Sequence, residues 1–470
     1  MKLHFHKNQN VSGSILLISL GIAVVLGLLL AGYMTYTSNQ TLCVARSQTW
    51  NAAIVLSEAG VEEALAHLNR GAPYFDPAEA TNNLACNGWT DLGNGQYAAP
   101  RRFLGQDYYD VTITILSQTP VINSVGFVRA ASPYACGAPP AMFAAIGVPL
   151  NSSDQSRHIK VNTKIDALFS VAMAALDVID FNGKNVMTDS FDSVDPNYSD
   201  SGRYPANINK TKASGDVTSD GDVVDTLDIG NAKVKGKVKT GPNGTINIKN
   251  NGSVGDRAWV EGGSRGIKPG WSANDMNVLF PPVSAPATTW LPAIKSNPRP
   301  TIDGIEYDYV FTTDGDYEIN NLNGTGNIYV GTNANVRLLV TCNFSMTSSH
   351  SEIRIAPTDA RLSLYMQGAS FKIGGQGVVN DSGNAANFYY FGLPSNTSID
   401  FQGNASFTGA IYAPNAAFKL GGGGNDTYDF VGGSVTRSVT MNGHFKFHYD
   451  ENLARVGGHR GFVPVGWKEL

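Results

Sequence analysis

Cysteine is scarce in this chain, with four in 470 residues, too few for a disulfide scaffold. Charge is sparse as well: Asp, Glu, Lys and Arg make up 16% of the chain and the formal net charge is −5. No global basic field exists to draw in nucleic acid. One stretch has no charge at all, from Ile15 to Met34 (ILLISLGIAVVLGLLLAGYM), and no proline occurs between Thr35 and Asn69. Glycine is plentiful, at 51 residues, which with the low charge density fits a mainly β body with many tight turns. A chain of this length suggests roughly two to four domains.

The uncharged stretch is long enough to cross a bilayer core of about 30 Å at a rise of about 1.5 Å per residue. Lys2 and Lys7 precede it, and the next basic residue is Arg46. The positive-inside bias therefore keeps the first dozen residues in the cytoplasm and exports the rest. The alternative is a cleaved secretory signal, whose apolar core runs to about 7–15 residues; this stretch is longer and the pattern after it stays helical. Ala52, Ala53, Leu56, Ala59, Gly60, Ala64 and Leu68 recur in steps of three and four, with Glu58, Glu62 and Glu63 off that stripe. The helix should stop near Gly71 and Pro73. One continuous helix of about 55 residues would reach roughly 80 Å.

After a short basic leader, Gly13-Ser14-Ile15-Leu16-Leu17 opens the long helix, whose second half reads AAIVLSEAGVEEALAHL. Over about the first 130 residues this resembles PilX-type minor pilins and the GspK-type pseudopilins of type II secretion. The resemblance implies that a prepilin peptidase cuts after Gly13, leaving Ser14 as the new N-terminus where a phenylalanine is usual. Major pilins carry a glutamate at the fifth mature position; here that position is Ile18. GspK-type proteins also lack this acid and are thought to sit at a filament tip, so the resemblance implies a tip rather than a shaft position.

Residues 71–150 are expected to form a small α+β head packed against the helix. Tyr108 to Ile115 alternates like a half-buried strand, and Val121 to Arg129 forms a second after the turn at Pro120. The forms YYDVTI and INSVGFV are common in PilX-like heads. Cys86 and Cys136 both lie in this exported region, where they could pair as a disulfide or remain two packed thiols. Cys43 and Cys342 read as packed thiols.

From Asn151 to about Arg455 short alternating runs are separated by Gly, Asn and Asp corners. Ala232 to Lys239 should put lysines on one face and small apolar residues on the other. The spacing allows a sandwich, a barrel or a β-helix. Very short strands with Gly/Asn-rich corners on every side favour a right-handed parallel β-helix, although no fixed repeat is visible. Its expected parts are 151–258 and 301–456, with 259–300 as a connecting segment and 457–470 as a C-terminal tail. Asp189-Ser190-Phe191-Asp192-Ser193, GNAKVKGKVKTGPNG, FTGAIYAPNAAFKLGGGG and GHFKFHYDENLAR resemble an uncharacterised β-helix-like domain of bacterial envelope proteins. That resemblance spans most of 165–455 and implies architecture and location without an established activity.

No catalytic, cofactor-binding or metal residue is nominated. Asp216, Asp220, Asp222, Asp225 and Asp228 could offer oxygen ligands to Ca²⁺, but they do not match an EF-hand loop and read as solvated corners. His444, His448 and Asp450 share strand parity without a third histidine nearby. Gly421 to Gly424 lacks the Lys-Ser/Thr of a phosphate loop. Asn396-Thr397-Ser398 reads as turn chemistry.

The expectation is a single-pass protein of the bacterial cytoplasmic membrane with its N-terminus inside and its bulk periplasmic or extracellular. It would be a structural or adhesive protein of type IV pilus or pseudopilus type, a minor or tip subunit, and no enzyme. Its partners would be the lipid bilayer, other pilin-like subunits along the helix, and a surface or glycan ligand, with no nucleic acid. Two alternatives stand beside this: an envelope-tethered glycan-active enzyme, because parallel β-helices host such sites, and a passive surface protein never assembled into pili.

Overall fold

The structure, a computed structural model, describes residues 12–70, 78–116, 119–129, 155–183, 185–322, 326–402, 406–422 and 429–470. It is mainly β, with a long apolar helix at the N-terminus, and divides into two units.

The first unit takes 1–70, 77–164 and 462–470. Helix α1 (Ser12–Leu68) is one uninterrupted helix of 57 residues, as the absence of proline predicts. A short α2 (Ala78–Cys86) follows, then strands β1 (Thr90–Gly93), β2 (Gln96–Ala98), β3 (Arg102–Leu104), β4 (Asp107–Thr114), β5 (Val121–Val128) and β6 (Gln155–Ala167). β4 and β5 are the two strands expected at 108–115 and 121–129, and they pair antiparallel with Ile113 opposite Ile122. The region expected to open the second domain instead adds β6 to this sheet, antiparallel to β5, with Val161 opposite Ile122. The expected tail also contains a strand, His459–Glu469, which extends the same sheet beside β6. Arg157 and Glu469 pair across that edge.

One face of the sheet is closed by the second half of α1. Ala53, Ser57, Gly60, Val61, Ala64 and Leu68 are buried, at three- and four-residue steps. The approach is close enough to need two glycines. A Cβ at Gly60 would lie 2.3 Å from the Ser124 hydroxyl, and one at Gly126 would lie 2.3 Å from the Ala53 carbonyl. The Ser57 hydroxyl accepts from the Gly126 N–H at 2.9 Å and lies 2.8 Å from the Arg157 carbonyl, tying helix, β5 and β6 together.

The second unit takes 71–76 and 165–461 and contains a 26-stranded sheet whose paired strands are parallel throughout. Its registers form three ladders. The first runs Tyr309, Ile328, Ile353, Val378, Phe407, Phe430, Phe447, Thr188, Val234, Val254, Ile267. The second passes through Tyr317, Leu338, Leu364, Tyr390, Ile411, Ser434, Met173, Val217 and Val238. The third passes through Phe344, Phe371, Ile399, Phe418, Val439, Ile179, Leu227 and Ile246. Most of these residues are buried and join one apolar cluster. Aromatic rings stack between neighbouring rungs, with centroids 4.3 Å apart for Phe407–Phe430 and 4.2 Å for Phe430–Phe447.

The order along each ladder is not the order of the chain. Strands from 173–191 lie in the middle, between the last turn of the chain (429–450) and the turn at 217–235. The chain therefore enters mid-stack, builds outwards to Ala273, crosses to the far end, and builds back until it meets its own start. The crossing is residues 274–292. Met276 N–H bonds Thr240, Val278 N–H bonds Asp220, Tyr412 hydroxyl bonds the Pro281 carbonyl, Trp290 meets Tyr365, and Leu291 pairs with Tyr317. The eight spacings between rungs of the second ladder, at about 4.8 Å each, make about 40 Å, and fifteen extended residues reach about 50 Å, so a nearly straight strap suffices. Met276, Phe280 and Val283 anchor it in the apolar cluster.

Candidate functional site

Two places carry chemistry beyond packing: the first half of α1 and the seam in the second unit where chain start meets chain end.

In α1, every residue from 15 to 34 is exposed. This is the one helix among the described residues long and apolar enough to cross a membrane. Gly13 and Ser14 fall in its first turn, and Ile18 is exposed. Glu58 and Glu62 point to solvent, but Glu63 is half-buried. Burial works to raise its carboxyl, and hydrogen bonds from Arg102 and Tyr109 at 2.8 and 2.9 Å outweigh this and hold it below the ordinary range. Cys43 on α1 and Cys86 at the end of α2 are exposed. Cys43 was expected to be packed; among the described residues it is exposed on the helix. Cys136 lies outside the described residues, so the Cys86–Cys136 pairing does too.

At the seam, three neighbouring strands put His448, Asp189 and Lys235 side by side. Their side chains are 1%, 0% and 3% exposed. Registered positions of a parallel ladder face one way, so with Phe447, Thr188 and Val234 turned inwards, these three turn outwards. They are nevertheless buried, because residues 192–214 form a flap between successive turns. Tyr204 from this flap stacks on His448 at 3.6 Å between centroids and donates to Asp189 at 3.0 Å. His448 Nδ1 donates to the other Asp189 oxygen at 2.5 Å, since a carboxylate can only accept. Lys235 Nζ lies 3.8 Å from Asp189 and 2.9 Å from Glu261, on the short helix Arg257–Glu261. This corrects the expectation of lysines on an open face at 232–239: Lys233 and Lys237 are exposed, but the helix and flap close over Lys235.

The flap is pinned at both ends. Asp192 pairs with Arg455, and Lys212 with Glu451. Burial pushes Asp192 up, but Arg455 and the Val194 N–H outweigh it and hold the carboxyl below its usual range. Asp450, fully buried, accepts from the Ser193 and Asn452 N–H groups, and burial raises its carboxyl. Arg203 reaches the Asp381 carbonyl, on a turn of the other half of the chain.

The remaining sequence candidates do not come together. Asp216 accepts from Lys237 N–H, Asp220 from Val278 N–H and Asp228 from Gly230 N–H, which are corner bonds at separate turns. Asp225 sits at a positive φ of 56°. His444 lies 3.2 Å from Asn185 and does not join His448 and Asp450. Gly421 and Gly422 end a strand; Gly423 and Gly424 lie outside the described residues. Asn396 is fully buried, between the Tyr390 hydroxyl and the Gly368 carbonyl. Among the described residues no three His, Cys, Asp or Glu side chains are grouped to hold a metal ion.

Residues 296–456 match a family described as a domain of unknown function (DUF7305). The matched segment holds the second half of the ladder system and stops short of the strands 173–273 that complete it. No curated protein matches the sequence. Among solved structures, the competence-associated pilin ComZ from Thermus thermophilus is similar at 10% identity, over 90% of this chain and 97% of that one, with a TM-score of 0.26. At that score the likeness is too slight to transfer anything.

Proposed function

We propose that this chain is a single-pass membrane protein displayed outside the cytoplasmic membrane, a structural or adhesive subunit of type IV pilus or pseudopilus type in a minor or tip position. The observation that carries the reading is the division of α1. Residues 15–34 are apolar and bare, whereas 53–68 bury a stripe against a small antiparallel sheet. Bare apolar surface on this scale needs a non-aqueous partner. Lipid and the helices of neighbouring subunits both supply one, by close packing. In this reading the N-terminus is cytoplasmic, by the Lys2 and Lys7 bias. Ile18 in place of the acid that would meet a preceding subunit suits a tip.

The parallel ladders are read as a right-handed parallel β-helix, the hand that parallel crossovers adopt in about 98% of cases. Such a rod presents a surface or glycan ligand with flat sides, and the reading includes no enzymatic step. The His448–Asp189 pair sits sealed beneath Tyr204, so it supports a fastening role.

Membrane fractionation with protease shaving of intact cells tests the anchor: the bulk should be digested from outside while a helix fragment stays in the membrane. Deleting the prepilin peptidase should retain the leader and slow the chain's migration on a gel. Unchanged migration removes the pilus assignment and leaves a passive surface protein.

A further inference from the structure

We propose that Lys235 and Asp189 become joined by an intramolecular isopeptide bond that welds two adjacent turns of the second unit at the seam. An amine and a carboxylate are held in contact here, 3.8 Å apart, with both side chains almost wholly out of water. Lys235 is the most deeply buried lysine described, and an ordinary surface ion pair would need neither the flap nor the short helix above it. The groups around the pair are those the condensation needs. Glu261 lies 2.9 Å from the Lys235 amine and is held in place by Arg257 at 2.8 Å. Tyr204 and His448 each donate to one Asp189 oxygen, which polarises the carboxyl carbon and steadies the charge that develops on attack. Tyr204 stacks on His448 and meets Phe191 edge-on, and these rings keep water from Asp189.

The step balances without any other reactant. Lys235 Nζ passes one proton to Glu261 and attacks Asp189 Cγ, forming the C–N bond. Glu261 delivers that proton to a carboxyl oxygen, takes a second from Nζ, and delivers it to the same oxygen as the C–O bond breaks. An ammonium and a carboxylate become an amide and one water, and Glu261 ends as it began. Holding the two groups in place supplies effective molarities of about 10⁵–10⁸ M, which offsets the poor reactivity of a carboxylate in water.

The test is peptide mapping of the full chain extracted from membranes in detergent. Trypsin should release a branched peptide, residues 185–203 joined to 234–237, lighter by one water than the two together and uncut after Lys235. Lys235→Arg keeps the charge and should yield only linear peptides. Glu261→Gln keeps the volume but removes the relay, and should lose most of the branch. Linear peptides from the wild-type chain, with cleavage after Lys235, would overturn the proposal, as would a branch undiminished in Glu261→Gln.

Discussion

Single side chains decide how closely α1 sits on its sheet. The Ser57 hydroxyl accepts from a buried N–H of β5 and lies against a carbonyl of β6, so Ser57→Ala removes the group that both of them meet. The expected loss is about 1–3 kcal/mol of stability, read as a lower denaturant midpoint for the head. Gly126→Ala should cost a similar amount, about 1–3 kcal/mol, by driving a methyl into the helix backbone. Asp450 shows the opposite sign. Burial raises its carboxyl above the ordinary 3.8, so it binds its proton more readily folded than unfolded. Its contribution is greatest below that ordinary value and is lost as pH rises through the raised one. Asparagine can still accept from the Ser193 and Asn452 N–H groups. Asp450→Asn should therefore flatten the fall in stability as pH rises above the ordinary carboxylate value. A thermal melt series that stays as steep as wild type would contradict this account.

At the scale of elements, α1 is one rod with two environments. Among the described residues its first half is exposed and its second half packs on a sheet. A charge at the centre of the bare half should cost about 2.5–3.5 kcal/mol on insertion. Leu26→Lys is thus expected to move a measurable share of the chain out of the alkali-resistant membrane fraction, while Leu26→Ile leaves it there. The strap 274–292 is the second such element. It has almost no paired backbone, yet it lies along the second ladder from Thr240 to Tyr317. Phe280, nearly buried beneath Arg460, is one of its anchors. Phe280→Ala should cost about 3 kcal/mol, the lower end for a phenylalanine truncation, because the strap has slack to relax. Protease sensitivity within the strap is the direct readout.

For the whole molecule, the stacking order has a consequence for the matched family segment. Residues 296–456 end in a turn, 429–450, whose outer edge is covered by strands from 173–191. Expressed without residues 165–273, that edge would stand open, with unpaired backbone and an uncovered Phe447 row. The two halves should instead hold together without a covalent link. If a specific protease site is placed at Ala287 and cut, both fragments should comigrate under native conditions and separate only in denaturant. Separation in native buffer would show that the strap, rather than the seam, holds the unit together.

Much of this was legible in the chain. An uncharged run of 20 residues followed by a proline-free stripe marked one long helix whose two halves carry different patterns. Alternation at 108–115, and the turn at Pro120 before 121–129, made two strands plain. Parallel, short-stranded architecture followed from Gly/Asn corners, although turns that advance unevenly, from Ile328 to Ile353, Val378, Phe407 and Phe430, hid any fixed repeat. Only the tertiary structure decided the stacking order, the return of 459–469 to the first sheet, and the burial of Lys235. Local pattern tells which way a side chain faces within its strand; it does not tell what a segment 259 residues distant along the chain, as His448 is from Asp189, will lay beside it. Those contacts depend on which open edges remain when the chain ends meet, and that is set by assembly of the whole.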